Sequence, residues 1–235
     1  MTAAHKEDID INIRDIEDLA GKALDLLYPD PIYCICCGNV IDETRTYGLC
    51  DHCIRHMVWD TSEPQVRDGM EFMRCCQYGI YERTLIFSLK YNRKRYIARH
   101  IAEIMRDKLI NAGRDGDYDV IVPVPLYKRK FRQRGFNQTA LIGKYLADHL
   151  GVTCAPEALI RVRETRPMRG LSPKEREENI AGCFQVNEEY RHKLEGKRIL
   201  LLDDFYTTGA TATECRKELE KICPESVSFL AFASK

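Results

Sequence analysis

The stretch LLLDDFYTTGAT, residues 200–211, decides which fold this chain is expected to adopt. Its apolar beginning suits a buried parallel strand, two aspartates follow, and Thr-Thr-Gly-Ala-Thr leads into a helical pattern over residues 211–223. An earlier apolar run at residues 120–124 is likewise followed, after a basic segment, by a helical pattern over residues 137–151. A last strand is expected at residues 226–233. Strands that alternate with helices predict an α/β fold with a parallel sheet and flanking helices.

The segment after the strand of the opening stretch carries residues suited to a sugar phosphate. Ligands of parallel sheets bind beyond the carboxyl ends of the strands, and free backbone N–H groups at a helix start favour a phosphate. Threonine hydroxyls add donors, and a glycine lets the backbone close on the anion. The residues expected to hold the phosphate are Thr207, Thr208, Gly209, Ala210 and Thr211. Asp203 and Asp204 lie just upstream and suit the hydroxyls of a ribose or a hydrated Mg²⁺.

An ordinary strand-to-helix turn is the alternative for the same residues. Asp204 could form a turn with its own backbone, and Thr207 or Thr208 could cap the helix. Each residue taken singly is explained that way. Two adjacent carboxylates at a strand end, however, repel one another without an external cation or donor, so the whole string favours a ligand site.

Two Cys-x-x-Cys pairs near the start of the chain have the spacing of a zinc site. The expected ligands are Cys34, Cys37, Cys50 and Cys53. Four thiolates leave Zn²⁺ no open coordination position, so the metal is expected to be structural. A redox Cys-x-x-Cys is the alternative, although that chemistry needs only one pair. Cys36 and His52 lie within the two pairs and are interpreted as bystanders.

Composition narrows the class of protein. Lys+Arg and Asp+Glu each number 36, so the formal net charge is zero and a strongly basic nucleic-acid binder is excluded. Eleven cysteines are an odd number in a chain of 235 residues without a signal-peptide pattern, so we expect a reducing cytoplasm. No apolar run is long enough for a membrane span. An amphipathic helix is expected within residues 13–27, docked on the core or on a partner.

Charge is distributed unevenly along the chain, although the net charge is zero. Basic clusters lie at residues 90–99 and 128–134, and in a neutral chain such clusters indicate an anionic ligand. A solvated basic loop is the alternative for the second cluster. Between the clusters, residues 72–91 are expected to form a strand-rich hairpin or entry segment, followed by a helix over residues 96–110.

These motifs together resemble a known family. Asp-Asp followed by Thr-Thr-Gly-Ala-Thr is similar to the phosphoribosyl pyrophosphate motif of type I phosphoribosyltransferases. More narrowly, VIVPVPL at residues 120–126, RGFNQ at residues 134–138 and LSPKEREENIAGCF at residues 171–184 resemble the ComF family, phosphoribosyltransferase-like proteins linked to competence for DNA uptake. The amino-terminal cysteine module also matches. The chain departs from the family pattern at Met168, where a glutamine is expected after Pro167.

The resemblance implies a type I phosphoribosyltransferase fold at residues 67–235 and a small zinc-ribbon module with the amino-terminal helix at residues 1–66. It also implies phosphoribosyl pyrophosphate and Mg²⁺ as ligands. The residues implied to contact the phosphates are Lys90, Arg129, Arg132, Arg134 and Gly135. A surface position is the alternative for Lys90. A segment that resembles the hood over the substrate contains Arg161, Arg163, Thr165 and Arg176.

Two functions remain open from the sequence. The first is phosphoribosyl transfer, in which Asp203 and Asp204 hold the ribose hydroxyls while Arg134 and Mg²⁺ stabilise the departing pyrophosphate. No general base or acceptor pocket is identified, so catalysis would rest on positioning and on the exclusion of water. The second is a non-catalytic protein that binds single-stranded DNA or competence proteins, because basic and aromatic residues alternate in both clusters. The aromatic residues are Tyr91, Tyr96, Tyr127, Phe131 and Phe136.

Overall fold

The computed structural model describes residues 32–67, 69–92, 94–166 and 170–235. The helix predicted within residues 13–27 lies outside the described residues, as does Met168. The helices are α1 (Asp51–His56), α2 (Ile80–Tyr91), α3 (Ile97–Asn111), α4 (Lys128–Arg134), α5 (Gln138–Leu150), α6 (Pro173–Ile180), α7 (Arg191–Leu194) and α8 (Ala210–Glu220). The strands are β1 (Gln65–Arg67), β2 (Met70–Gln77), β3 (Val120–Pro123), β4 (Thr153–Cys154), β5 (Leu159–Arg161), β6 (Phe184–Val186), β7 (Arg198–Tyr206) and β8 (Ser226–Ser234).

Six strands form one sheet in the order β1-β2-β8-β7-β3-β4. The β1–β2 pair is antiparallel, and every other neighbouring pair in this sheet is parallel. β7 lies inside the sheet, where Leu201 is opposite Val122 of β3 and Phe229 of β8. The remaining strands, β5 and β6, pair antiparallel with each other. The predicted α/β class, a mostly parallel sheet with flanking helices, is confirmed.

Apolar side chains cover both faces of the sheet. Leu200 and Leu202 pack in a buried cluster with residues of α2, α3 and α5, whereas Ile199 and Leu201 pack in a second cluster with residues of α8, β5 and β6. Successive residues of a strand point to opposite faces, so a continuous apolar run such as that of β7 fits a strand covered on both sides. In the part of the chain that the structure describes, no helix has the length and apolar character needed to cross a membrane.

Residues 72–91 correct the sequence prediction. The strand β2 ends at Gln77, and the second half of the segment is the helix α2 rather than part of a strand-rich hairpin. Leu85, Ile86 and Leu89 are buried on one side of this helix, because Leu89 lies four positions after Leu85 and three after Ile86, and such positions share a helix face. The start of α2 is fixed by the Glu82 carboxylate, which accepts the Gly79 backbone N–H at 2.9 Å.

The cysteine module shares the core of the larger domain. Ile35 and Leu49 belong to the same buried cluster as the α2 side chains. The chain then runs along β2, since Gln77 donates its N–H to the Val58 carbonyl and Asp60 donates its N–H to the Cys75 carbonyl, both at 2.8 Å. The domain boundary expected between residues 66 and 67 falls within β1.

Candidate functional site

The carboxyl ends of β3 and β7 bring together the two segments that the sequence singles out. The strands are parallel neighbours, and Pro123 of β3 lies opposite Leu202 of β7. Residues that follow the two strands therefore meet at one edge of the sheet. The helix α4 follows β3, and residues 207–211 follow β7. A further group of elements, β5, β6 and α6, is called the hood below, and it contributes Arg161 and Arg176 to the same region.

Gly209 shapes the loop between β7 and α8. Its φ is 84°, and a Cβ at this position would lie 2.5 Å from the hydroxyl oxygen of Tyr206. Only glycine fits that combination without strain. Gly209 is also the N-cap of α8, and no side chain caps this helix. Thr207 and Thr208 therefore precede the helix and are not its caps, in contrast to the capping alternative. The cleft beside the loop is lined by the backbone and side chains of residues 205–212.

Asp203 and Asp204 have different surroundings. The side chain of Asp204 is only 5% exposed, and its Oδ2 and Oδ1 lie 2.7 and 2.9 Å from Nζ of Lys90. Asp203 is half-buried, borders the cleft, and accepts the backbone N–H of Asp204 at 2.8 Å. Burial and the neighbouring charge of Asp204 raise the pKa of Asp203 to about 7, although Lys90 acts in the opposite direction. Asp203 therefore borders the cleft, whereas Asp204 holds Lys90.

The basic segment that was predicted to be a loop is instead the short helix α4, so its basic side chains point in different directions around the helix axis. Arg129 points towards the hood, with its Nε 3.0 Å from Oε1 of Glu164. Arg132 is exposed. Gly135 ends the helix with a φ of 83°, and no atom lies near its missing side chain, so its role is to terminate α4.

Lys90 and Arg134 act electrostatically on a third cation, Lys130, which the sequence placed in the basic cluster at residues 128–134 but not among the phosphate contacts. Partial desolvation, followed by the positive charges of Arg161, Arg134 and Lys90, lowers the pKa of Lys130. The Arg134 guanidinium lies over the ring of Tyr91, 5.4 Å from its centroid, and donates to Gln138. Because Lys130 and Arg134 are four residues apart, a helical interpretation of residues 128–134 would have identified the pair.

The hood adds two arginines. The Arg161 guanidinium lies 5.4 Å from the centroid of the Phe184 ring and donates to Thr165 Oγ1 at 2.6 Å, and burial lowers its pKa. Arg176 borders the cleft beside residues 205–212. Arg163 points elsewhere, since it donates to the carbonyls at the end of α6. The sequence grouped these residues, but the structure separates those that reach the site from those that support the hood.

The four predicted cysteine ligands form one cluster. The Sγ atoms of Cys34, Cys37, Cys50 and Cys53 all lie within 4.8 Å of one another. Tetrahedral Zn²⁺ with Zn–S bonds of about 2.3 Å places its sulfurs ~3.8 Å apart, so this donor set fits the metal. Burial disfavours the thiolate form of Cys34. Hydrogen bonds from backbone N–H groups, above all those of Cys37 and Cys50, outweigh this effect and lower the pKa of Cys34 to about 7.

Cys36 and His52 lie outside the cluster, as predicted. The Cys36 thiol donates to the Tyr81 carbonyl at 3.9 Å, and burial raises its pKa to about 11. His52 instead contacts the Tyr81 hydroxyl, with its Nε2 3.1 Å away, and stacks on His56. Both side chains are engaged with neighbours in the protein.

Curated relatives of this chain carry names that refer to competence and to DNA utilization. The chain is 30% identical over 152 residues to competence protein F of Haemophilus influenzae, covering 63% of this chain and 66% of the relative. It is 27% identical over 224 residues to competence protein ComFC of Bacillus subtilis, covering 87% and 86%. The chain belongs to the ComF family. A third member, DNA utilization protein YhgH of Escherichia coli, is 32% identical over 133 residues, which cover 55% of this ComF chain and 57% of the relative.

The matches span between about half and two thirds of the length of several of these relatives, the ComFC match being longer. No family model matches the chain. Solved structures similar to this ComF chain include an adenine phosphoribosyltransferase, with a TM-score of 0.42, 16% identity and coverage of 61% of this chain and 73% of the other. Another is the glutamine phosphoribosylpyrophosphate amidotransferase of Bacillus subtilis, with a TM-score of 0.39, 18% identity and coverage of 57% and 25%.

Proposed function

We propose that this ComF chain binds phosphoribosyl pyrophosphate with Mg²⁺ and acts as a phosphoribosyltransferase-like protein in DNA uptake. The observation that carries the proposal is the single edge of the sheet at which Asp203 and residues 207–211 meet the cations Lys90, Lys130 and Arg134. A ribose with phosphoryl groups at both ends needs such an arrangement, with an anion site on either side of a hydroxyl acceptor. The competence names of the relatives support the biological setting.

Each part of the ligand has a residue suited to it. The 5-phosphate would lie on the backbone N–H groups at the start of α8, where Gly209 lets it approach closely. Asp203 would accept from a ribose hydroxyl, and among the described residues its carboxylate accepts one hydrogen bond, from the backbone of Asp204. The same carboxylate fits Mg²⁺, which prefers oxygen ligands. Bound with the ligand, Mg²⁺ would supply positive charge to the pyrophosphate.

Transfer of the ribosyl group would depend mainly on the leaving pyrophosphate. Lys130 and Arg134 can neutralise its charge as the bond to the ribose breaks, and Lys90 is held beside them by Asp204. Arg161 brings a further positive charge from the hood. The elements around the site would exclude water from the positive charge that develops on the ribose. We propose phosphoribosyl transfer as the activity on this basis.

The cysteine cluster has a separate role in the proposal. We propose that Cys34, Cys37, Cys50 and Cys53 hold a structural Zn²⁺, because four thiolates close the coordination sphere. The shared buried cluster then links the metal to the core of the larger domain.

A second function is favoured by exposed aromatic rings beside the cations. Tyr91, Tyr96 and Phe131 are 62%, 48% and 47% exposed, and they lie among the basic residues of the clusters at residues 90–99 and 128–134. Stacking of bases on such rings, with phosphates on the neighbouring cations, would bind single-stranded DNA. Competence proteins that contact the same surface are part of this second proposal.

Calorimetric titration of phosphoribosyl pyrophosphate with and without Mg²⁺ separates the two functions. We expect binding that requires Mg²⁺ and that Asp203→Asn weakens at least ~10-fold, since a carboxylate contact to the metal or ribose is lost. Asp115→Asn is the matched control, because it removes an exposed acid that lies outside the segments of the site, and this variant should bind as the parent does. Binding of single-stranded DNA without any sugar-phosphate binding, with a steep decline at higher salt, would support the second function in place of the first.

A further inference from the structure

Two hood arginines contain buried nitrogen atoms without partners. Within the described ranges, the buried side-chain nitrogens that lack a hydrogen-bond partner are Nε of Arg161 and Nε of Arg176. A buried donor without an acceptor destabilises the folded protein, and such donors in native proteins are commonly satisfied by water, an ion or a ligand. The two arginines differ in their remaining contacts, because Arg161 also donates to Thr165 and lies over Phe184.

Arg176 is the arginine that borders the cleft at residues 207–211. The cleft is lined by Arg176, Asp203 and the loop that contains Gly209. Among the described residues, no carboxylate forms an ion pair with the Arg176 guanidinium. The side chain therefore brings a positive charge to the start of α8, where the backbone N–H groups already favour an anion.

The helix that carries Arg176 is fixed at both ends. At its start, Ser172 and Glu175 form a reciprocal capping box, with distances of 2.8 and 3.3 Å. Near its end, the Asn179 amide accepts the Arg166 N–H at 3.1 Å and donates to the Arg166 carbonyl at 3.0 Å. Beyond it, the backbone N–H of Gly182 donates to a carboxylate of α8 at 2.6 Å. These contacts hold α6 against α8 and so keep Arg176 beside the cleft.

We propose that Arg176 is a binding residue for the phosphomonoester that occupies residues 207–211. The guanidinium presents paired N–H donors that match two phosphoryl oxygens, and the ligand would satisfy its buried Nε. The inference rests on the proposed function for the identity of the ligand as a ribose 5-phosphate group. It assigns the two ends of the ligand to separate cations, Arg176 at the monoester and the Lys130 and Arg134 pair at the pyrophosphate.

One consequence concerns Mg²⁺. A monoester held by backbone N–H groups and Arg176 already meets enough positive charge, so ribose 5-phosphate should bind without the metal. Phosphoribosyl pyrophosphate carries further negative charge on the other side of Asp203 and should require Mg²⁺ for tight binding.

Calorimetric titration with two ligands, ribose 5-phosphate and phosphoribosyl pyrophosphate with Mg²⁺, tests the proposal. Arg176→Gln should weaken ribose 5-phosphate binding about 10- to 100-fold, and Arg176→Lys should recover part of it, since lysine restores the charge without the paired donors. Lys174→Gln removes an exposed charge from the same helix and is the matched control, with binding unchanged. Thermal unfolding of Arg176→Gln should occur at or above the temperature of the parent, because the substitution removes an unsatisfied donor.

The outcomes separate this inference from the proposed function. If the parent and Arg176→Gln bind ribose 5-phosphate equally well and the parent also binds phosphoribosyl pyrophosphate, the role of Arg176 is overturned and the proposed function stands. If ribose 5-phosphate binding depends on Arg176 but the parent does not bind phosphoribosyl pyrophosphate, the inference holds and the proposed function fails. If the parent binds neither ligand, both are overturned.

Discussion

At the scale of single residues, the ionisation of Asp203 links the site to the stability of the folded protein. Its folded-state pKa of about 7 lies above the ordinary value of 3.8, so the folded protein holds this proton more tightly than the unfolded chain does. Stability contributed by the protonated form is complete below about pH 3.8 and is lost as the pH rises through about 7. The ionised pair Asp203 and Asp204 therefore destabilises the folded protein at neutral pH, and a bound cation would reduce the repulsion between the two carboxylates.

Asp203→Asn should therefore stabilise the ligand-free protein in a pH-dependent way. We expect a gain of at least about 1 kcal/mol at pH 8 and a much smaller gain at pH 4, measured by urea unfolding at both pH values. Asp115→Asn, at an exposed position, should change stability equally little at both. A gain from Asp203→Asn that is the same at pH 4 and pH 8 would show that Asp203 titrates normally.

Gly209 allows a second prediction from one residue. Gly209→Ala should abolish phosphoribosyl pyrophosphate binding in calorimetry and lower stability by more than 1–2 kcal/mol, because a left-handed backbone and a contact with Tyr206 both oppose the methyl group. Gly151→Ala is the control, since Gly151 has a φ of 69° but no atom within 4 Å of the added carbon. Equal destabilisation by the two substitutions would mean that the contact with Tyr206 has no effect.

The sequence predicted which residue types lie at the site better than it predicted their roles. Gly209, Asp203 and Asp204 were found because a glycine and adjacent acids after an apolar run are unusual together. Their unequal roles could not be predicted, because Lys90 is 114 positions away from Asp204 and only the fold brings them together. Roles that depend on contacts distant in sequence require the structure.

At the scale of elements, the ion pair between Lys90 and Asp204 connects α2 to β7. Both side chains are largely buried, at 19% and 5% exposure. Removal of one partner from a buried pair leaves an uncompensated charge, which costs about 3–5 kcal/mol in comparable cases.

Lys90→Met should accordingly destabilise the protein by ~2–4 kcal/mol in urea unfolding, and Asp204→Asn in the same background should recover a large part of the loss. Lys94→Met, at an exposed lysine three residues beyond α2, should have almost no effect. Absence of recovery in the double variant would contradict a direct interaction of the two side chains.

Elements with a clear period were predicted well, and those without one were not. α3, α5 and the strands β3, β7 and β8 follow from apolar periodicity alone. α2 was missed because its buried apolar residues, Leu85, Ile86 and Leu89, span little more than one helical turn and leave the first half of the helix without an apolar period. α4 was missed because it buries no side chain, so it has no apolar face to detect.

At the scale of the whole molecule, the cysteine module and the larger domain form a common buried cluster. Loss of a metal bound by the module should therefore affect the stability of the larger domain as well. The sequence predicted the four ligands from their spacing, but no pattern in the sequence indicates which surface of the larger domain the module contacts.

Cys53→Ser should reduce bound zinc, measured by elemental analysis, from one ion per chain to much less, and should lower the unfolding temperature of the entire protein by several degrees. Cys36→Ala is the control, because Cys36 is adjacent in sequence but lies outside the ligand cluster. Loss of zinc from both variants would contradict the assignment of the ligands.

A crystal structure of the protein with phosphoribosyl pyrophosphate and Mg²⁺ would show whether one edge of the sheet binds a ribose with phosphoryl groups at both ends. We expect electron density for the 5-phosphate on the backbone of residues 207–211, a ribose hydroxyl beside Asp203, and the pyrophosphate next to Lys130 and Arg134. Density for the ligand elsewhere on the molecule, with this edge occupied only by solvent, would contradict it.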